Sequence, residues 1–236
     1  MPKYKLHVVD NKIQLAEKLA SKVAQQLLAG IMKRGTASLA LSGGSTPLFF
    51  LESLSIIDID WHKITVTLVD ERFVSLESSY SNQLFLSKFF FKNKAQKAHF
   101  ISLYYPQKKI EESAIIANKQ IYQSIDFPFD VVVLGMGIDG HTASFFPKGD
   151  TLSTALDINT PRSVIAIQDR SDNKKRLTMT FSALYDARFL ALHIEGKQKK
   201  SVLEKAIAGH DIMEMPIRSF LWNAKSNLEI YWTTQS

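Results

Sequence analysis

The chain contains no cysteine. That excludes disulfides, thiolate nucleophiles, iron–sulfur clusters and cysteine-based zinc sites, and it fits a reducing compartment. Glycine and proline are sparse, 10 and 7 among 236 residues, too few for a linker-rich or collagenous chain. No uninterrupted apolar stretch approaches the roughly 20 residues of a membrane span. The start, Met1-Pro2-Lys3-Tyr4-Lys5-Leu6-His7, has no apolar run behind its first lysine, so no secretory signal is expected. Neither sign of charge dominates: 29 Lys and Arg against 23 Asp and Glu leave a net charge of +6. This excess suits an anionic small molecule as well as nucleic acid. Nucleic acid would also need a basic stripe with stacking aromatics, and Phe89-Phe90-Phe91 reads as core instead. The expectation is a soluble cytoplasmic protein with neither a nucleic-acid nor a membrane partner.

What is present is ordinary globular composition, 45% hydrophobic and 22% charged. A chain of this size hides about 70% of its unfolded surface and needs no metal or disulfide to stay folded. Strand and helix patterns alternate. Strands are expected at 4–10, 36–42, 64–70, 99–103, 130–135, 163–168, 189–194 and 228–232. Asn11 reads as the cap of a long amphipathic helix that Gly35 stops. Further helices are expected at 81–91, 110–122 and 197–208, and another opens at Pro47 with Thr46 as its cap. Alternation of this kind predicts an α/β fold, an open and largely parallel Rossmann-like sheet with helices on both faces. No repeat or linker interrupts it, so residues 1–236 are read as a single domain. In such sheets ligands bind beyond the carboxyl ends of strands.

Distinctive residues follow several of those strands. In Leu41-Ser42-Gly43-Gly44-Ser45-Thr46-Pro47, two glycines between strand and helix let a ligand approach the backbone, whose N–H groups favour an anion such as phosphate. The bland alternative is a tight turn with ordinary capping. The Gly-Lys-Ser/Thr ending of a Walker A loop is missing. Gly135-Met136-Gly137-Ile138-Asp139-Gly140-His141 fits a dinucleotide fingerprint. Its late position, the Asp and His in the turn, and the lack of a well-placed acidic residue about 20 positions on argue against that reading.

His141, two residues after Asp139, is the titratable group of greatest interest, because a neutral imidazole is a general base near pH 7. The alternative is a histidine that merely satisfies a turn. His7, His62, His99, His193 and His210 are scattered without a His-x-x-x-His pair, so no zinc site is argued. Asp70-Glu71-Arg72 ends a strand. Arg72 there suits a carboxylate, phosphate or oxyanion, the alternative being a surface salt bridge. Arg176 and Lys197 are late cations able to close over a phosphate, in runs that otherwise read as solvated faces. A Gly-x-Ser-x-Gly elbow is absent, which speaks against a serine hydrolase.

Together these segments resemble the 6-phosphogluconolactonase family. The resemblance rests on Leu41 to Pro47, on Asp70-Glu71-Arg72 with Ser81-Asn82, on Gly135 to Ser144 with Phe146-Pro147, and on Arg176-Leu-Thr-Met-Thr, in that order. It implies the fold of the glucosamine-6-phosphate deaminases, and hydrolysis of 6-phospho-D-glucono-1,5-lactone to 6-phosphogluconate in the oxidative pentose phosphate pathway. It implies neither metal nor organic cofactor, and a monomer or small homo-oligomer whose partner is a small phosphosugar lactone. The implied general base is His141, with Asp139 and Arg72 beside it. Arg72 serves either the lactone or the phosphate. Substrate contacts are expected at Ser42, Gly43, Gly44, Ser45, Asp70, Arg176 and Lys197.

The deaminases are the near alternative. They carry an acidic residue soon after the histidine, where this chain has Phe145-Phe146-Pro147. A non-catalytic sugar-phosphate sensor on the same fold is the other; it would usually carry a DNA-binding segment, for which no room is seen before the first strand. The chain departs from the usual lactonase pattern in Ser75, where proline is common, and in Ser171 to Lys175, where a proline-rich stretch is usual.

Overall fold

The computed structural model describes residues 2–168 and 175–235. Positions 171–174, most of the stretch that departs from the family pattern, lie outside them. The first half of the chain forms β1 (Tyr4–Val8), α1 (Lys12–Arg34), β2 (Ala37–Leu41), α2 (Leu48–Ser55), β3 (Ile64–Leu68), β4 (Asp70–Arg72), α3 (Asn82–Phe89), β5 (His99–Ile101) and α4 (Ile110–Ser124). The second half forms β6 (Val131–Leu134), α5 (Leu152–Leu156), β7 (Val164–Gln168), β8 (Lys175–Met179), α6 (Phe181–Leu184), β9 (Phe189–Glu195), α7 (Gly196–Ala208), α8 (Arg218–Asn223) and β10 (Leu228–Thr233). Among the described residues no helix is long and apolar enough to cross a membrane.

Local chemistry sets the boundaries. The Asn11 side chain accepts from the Gln14 N–H and opens α1. Gly35 closes it at φ +83°, in the left-handed region where a side chain would be strained, and its N–H bonds back to Ile31. Along α1 the stripe Leu15, Ala16, Leu19, Ala20, Val23, Ala24 and Leu27 is buried, as the 3.6-residue period requires. Pro47 itself occupies the N-cap position of α2, and Thr46 makes no capping bond.

Seven strands pair in the order β1-β10-β9-β6-β2-β3-β5, all parallel. β2 and β6 are buried throughout, as expected of central parallel strands covered on both faces. After β2 the chain steps outward to β3 and β5. After β6 it steps the other way, to β9 and β10. Right-handed crossovers therefore put the helices after β2 and those after β6 on opposite faces. The gap this leaves lies beyond the carboxyl ends of β2 and β6, where open α/β sheets bind ligands.

A second sheet, β4-β8-β7, is antiparallel. It was not foreseen. Asp70-Glu71-Arg72 is a strand of its own, and the strand over 164–168 pairs with Lys175–Met179 and not with the main sheet. The two sheets meet where the Met179 N–H bonds to the Val69 carbonyl. This junction brings Arg72 and Arg176 beside the switch point.

Candidate active site

Both glycine-rich turns leave the sheet at that switch point and are tied together. The Ser42 N–H donates to the Val133 carbonyl at 3.0 Å, and Ser42 Oγ accepts from the Gly135 N–H at 3.1 Å. A cavity of about 260 Å³ opens over them, small for a ligand site. Its wall includes Ser42, Gly43, Gly44, Ser45, Asp70, Arg72, His141 and Arg176. The structure thus gathers nearly every expected site residue around one space.

The His141 turn is held from several sides. The Gly137 N–H bonds to the His141 carbonyl at 2.8 Å, and the Thr142 hydroxyl to the Gly135 carbonyl at 2.8 Å. Gly140 sits at φ +81°, and its carbonyl accepts from the Ile217 N–H. Asp139 Oδ1 lies 2.6 Å from His141 Nδ1 and also accepts the His141 backbone N–H at 3.1 Å. In the neutral ring, an Nδ1–H donated to Asp139 leaves the Nε2 lone pair to meet a water. Burial pushes the half-buried Asp139 carboxyl up, but the hydrogen bond and charge of His141 outweigh it and bring it down to about 2. The Phe146 ring packs 4.8 Å from the imidazole, and the Arg176 guanidinium lies 5.0 Å from the same ring.

Asp70 and Glu71 are buried and held by internal hydrogen bonds, which sets aside the alternative of a surface salt bridge for them. Glu71 is 0% exposed. Its carboxylate accepts from the backbone N–H groups of Arg72, Asn82 and Gln83 at 2.7–2.8 Å and from the Ser81 hydroxyl at 3.2 Å. It caps α3 and fixes the strand before it. Burial pushes this carboxyl up, the three N–H groups pull against that, and Asp70 adds to the rise. Asp70 accepts from the Ser144 hydroxyl at 2.6 Å, which ties the β4 corner to the histidine turn. The Asn82 amide donates to the Asp70 carbonyl at 2.9 Å and lies where a side chain on Gly43 would go.

Asp139 and Lys197 are the exceptions. Asp139 touches His141 without being part of the cavity wall, and the exposed Lys197 lies outside the wall too, whereas Lys199 is in it. α7 begins at Gly196, and residues two apart on a helix face nearly opposite ways. Lys199 Nζ donates to the Met136 carbonyl at 2.6 Å. Burial pushes this ammonium down, and the Asp139 charge pulls it part of the way back. Asn82, quoted above only for the family resemblance, and His193 are further wall residues that were not expected as contacts. The glycine after β9 was the available signal for Lys199; His193 had none, being one polar residue in an apolar run.

Among the described residues, the wall sets three cations, Arg72, Arg176 and Lys199, against the single carboxylate of Asp70. It can hold an anion and offer a base to a water beside it. A family model described as glucosamine-6-phosphate isomerases/6-phosphogluconolactonase matches residues 10–232. A 6-phosphogluconolactonase of Rhizobium meliloti is 52% identical over 227 residues, covering 96% of this chain and 97% of that one. One of Mesorhizobium japonicum is 42% identical over 229 residues, covering 97% and 95%. The crystal structure of a 6-phosphogluconolactonase from Shewanella baltica OS155 superimposes with a TM-score of 0.91 at 36% identity, covering 98% of each chain.

Proposed function

The chain belongs to the glucosamine-6-phosphate isomerase/6-phosphogluconolactonase family, and on that premise we propose that it is a 6-phosphogluconolactonase in which His141 is the general base. It is an enzyme that hydrolyses 6-phospho-D-glucono-1,5-lactone to 6-phosphogluconate, a step of the pentose phosphate pathway. The observation that carries the site assignment is that His141, held by Asp139, and the double-glycine turn border one cavity.

A δ-lactone is an activated ester, so no covalent nucleophile is required. His141 Nε2 takes a proton from water as its oxygen attacks C1, and the carbonyl electrons move onto oxygen. Asp139 stabilises the imidazolium that forms, in the way an ionised partner holds a catalytic histidine. The tetrahedral intermediate collapses, the ring C1–O5 bond breaks, and the imidazolium returns its proton to the leaving O5. The products are a carboxylic acid, which ionises, and a free C5 hydroxyl. The phosphate rests on the N–H groups of Gly43 to Ser45, with Arg176 and Lys199 as its cations. Arg72 stands across from Arg176 and serves the same anionic ligand. The reading makes the enzyme cytoplasmic, since its substrate is a soluble sugar phosphate.

Deaminase chemistry is disfavoured by Phe146, which packs on the histidine where the deaminases carry an acid. The test is proton release on freshly made 6-phosphogluconolactone, with spontaneous opening subtracted. The wild type accelerates opening and releases no ammonia from glucosamine 6-phosphate. His141→Ala is expected to lower kcat about 10²–10⁴-fold with KM little changed. An unchanged kcat in that variant would remove His141 as the base.

A further inference from the structure

The outer edge of the main sheet carries a second polar cavity, which the reaction above does not use. It opens between α1 and the strands β1 and β10, holds about 410 Å³, and is lined by Lys5, His7, Lys18, Lys22, Glu229 and Tyr231 among others. Two strands, β10 and β9, separate β1 from β6. The cavity shares no wall residue with the one beyond β2 and β6.

The fold gathers positive charge there. Lys5 and His7 lie two apart on β1, on one face of the sheet, and their register partners on β10 are Glu229 and Tyr231. Lys18, Lys22 and Gln25 follow one another on α1 at spacings of four and three, which puts them on one side of the helix. Among the described residues, three ammonium groups thus meet one carboxylate. That carboxylate is engaged already, with Glu229 Oε2 2.5 Å from His7 Nε2. Lys22 Nζ donates to the Gln25 amide oxygen at 3.1 Å, a neutral partner. The ammonium groups of Lys5 and Lys18 have no acidic partner among the described residues. Lys63 and Lys92, by contrast, are paired with Asp60 and Glu52.

Tyr231 adds a donor. It is 2% exposed, and its ring stacks on His7 with centroids 4.6 Å apart and planes at 17°. Its hydroxyl makes no hydrogen bond among the described residues and is not sealed off from solvent. What little of this residue is exposed opens on the cavity that it lines. Burial, and then the Glu229 charge, push the phenol up to about 12, so at neutral pH the O–H is intact. Polar groups of buried residues are nearly always paired, and a free O–H inside a cationic cavity is matched by an anionic acceptor.

We propose that this cavity is a second anion site, which takes the phosphate group of a small phosphorylated molecule: Lys5, Lys18 and Lys22 supply the charge and the Tyr231 hydroxyl donates a hydrogen bond. Three cations against one carboxylate leave an excess of two, which a phosphate dianion balances. The site is independent of His141 and of the lactonase reading.

The experiment titrates inorganic pyrophosphate calorimetrically at about 0.15 M potassium chloride, where exposed charges are screened beyond about 8 Å. The starting protein is Arg72→Met/Arg176→Met, which weakens the clamp of the first cavity. One saturable site is expected to remain. Adding Lys5→Gln and Lys22→Gln is expected to weaken it at least about tenfold, and adding Tyr231→Phe, which keeps the stack on His7, about tenfold, as loss of a hydrogen bond to a charged group does. In the wild-type background the two lysine substitutions leave kcat and KM on the lactone within about twofold. No saturable binding to the arginine variant, binding that survives the lysine substitutions or Tyr231→Phe, or a tenfold rise in the lactone KM on the lysine substitutions would overturn the proposal. If the arginine variant does not fold, NMR of the His7 ring protons in wild type takes the place of calorimetry. Pyrophosphate is expected to shift them saturably, and Lys5→Gln/Lys22→Gln to abolish the shift; signals that do not move would overturn the proposal equally.

Discussion

Arg72 lies directly opposite Arg176, as register partners on the antiparallel strands β4 and β8, and both line the cavity. Arg72 Nη1 donates to the Tyr80 carbonyl at 2.6 Å, and the Arg176 guanidinium is stacked over Phe146. Like charges facing each other across an antiparallel pair repel, and an anion between them relieves that repulsion.

The pair should therefore act as one clamp. Titrating wild type with 6-phosphogluconate is expected to raise Tm progressively, because the ligand binds only the folded state. Arg72→Met and Arg176→Met each weaken Kd about tenfold or more, as loss of a charge-assisted bond does. The double variant loses less than the sum, since the two contact one ligand. A full ligand-induced Tm rise in Arg176→Met would show that the anion binds elsewhere.

Asp139 makes a prediction in pH. Its carboxyl is held at about 2, below its ordinary 3.8. A depressed carboxyl contributes stability above its unfolded value and loses it as pH falls through the folded one. The stability contributed by the Asp139–His141 contact is thus full above about pH 4 and is lost between about pH 4 and 2. Carbon-13 NMR of the Asp139 carboxyl is expected to find it mostly ionised at pH 3, where an unperturbed aspartate is mostly protonated. Asp139→Asn keeps the shape but removes the charge that supports the imidazolium, so kcat falls with KM nearly unchanged. A midpoint near 3.8 in the NMR titration would mean that the contact is absent in solution.

Lys199 and Lys197 separate two accounts of the anion site. Lys199 is a wall residue anchored on the Met136 carbonyl, and Lys197 points to solvent. Lys199→Met is expected to raise KM for the phosphorylated lactone at least about tenfold, and Lys197→Met to leave both constants within about twofold. Steady-state kinetics on the two variants decides it. The reverse order would mean that α7 is rotated from the phase seen here.

β2, β6 and β9 were legible because central parallel strands are apolar on both faces and stand out as runs. α1 was legible from Asn11, its apolar stripe and Gly35. The second sheet was not, since a strand as short as Asp70–Arg72 has no periodicity to detect and its partner reads as a cationic stretch. Glu71 was given no role because the N–H groups it satisfies, on Asn82 and Gln83, lie more than ten positions away. Lys199 was missed by one phase of a helix that starts at Gly196. The positions of Ser42, Gly43, Gly44 and His141 around one cavity needed only strand order and the rule for switch points, whereas Arg176 reaches it through the second sheet.

The glycines test whether shape or flexibility is required at each turn. At Gly137 an added Cβ would overlap His141 Nδ1 and Cε1 and the Asp139 carboxylate, so Gly137→Ala must displace the proposed base. Misplacement of a reacting group by about 1 Å costs about 10²-fold, and a fall of that order in kcat is expected with little change in Tm. At Gly43 the same Cβ would meet the Asn82 amide, which is held on the Asp70 carbonyl. Gly43→Ala therefore disturbs the cradle and raises KM. Gly35 is the control: its φ is +83° and no atom lies within 4 Å of a Cβ. There alanine is strained by backbone geometry alone, about 1–2 kcal/mol, and lowers Tm while both kinetic constants stay as in wild type. Kinetics and melting curves on the three variants give three different signatures. A Gly137→Ala enzyme with full kcat would mean that His141 does not need the position it occupies against that turn.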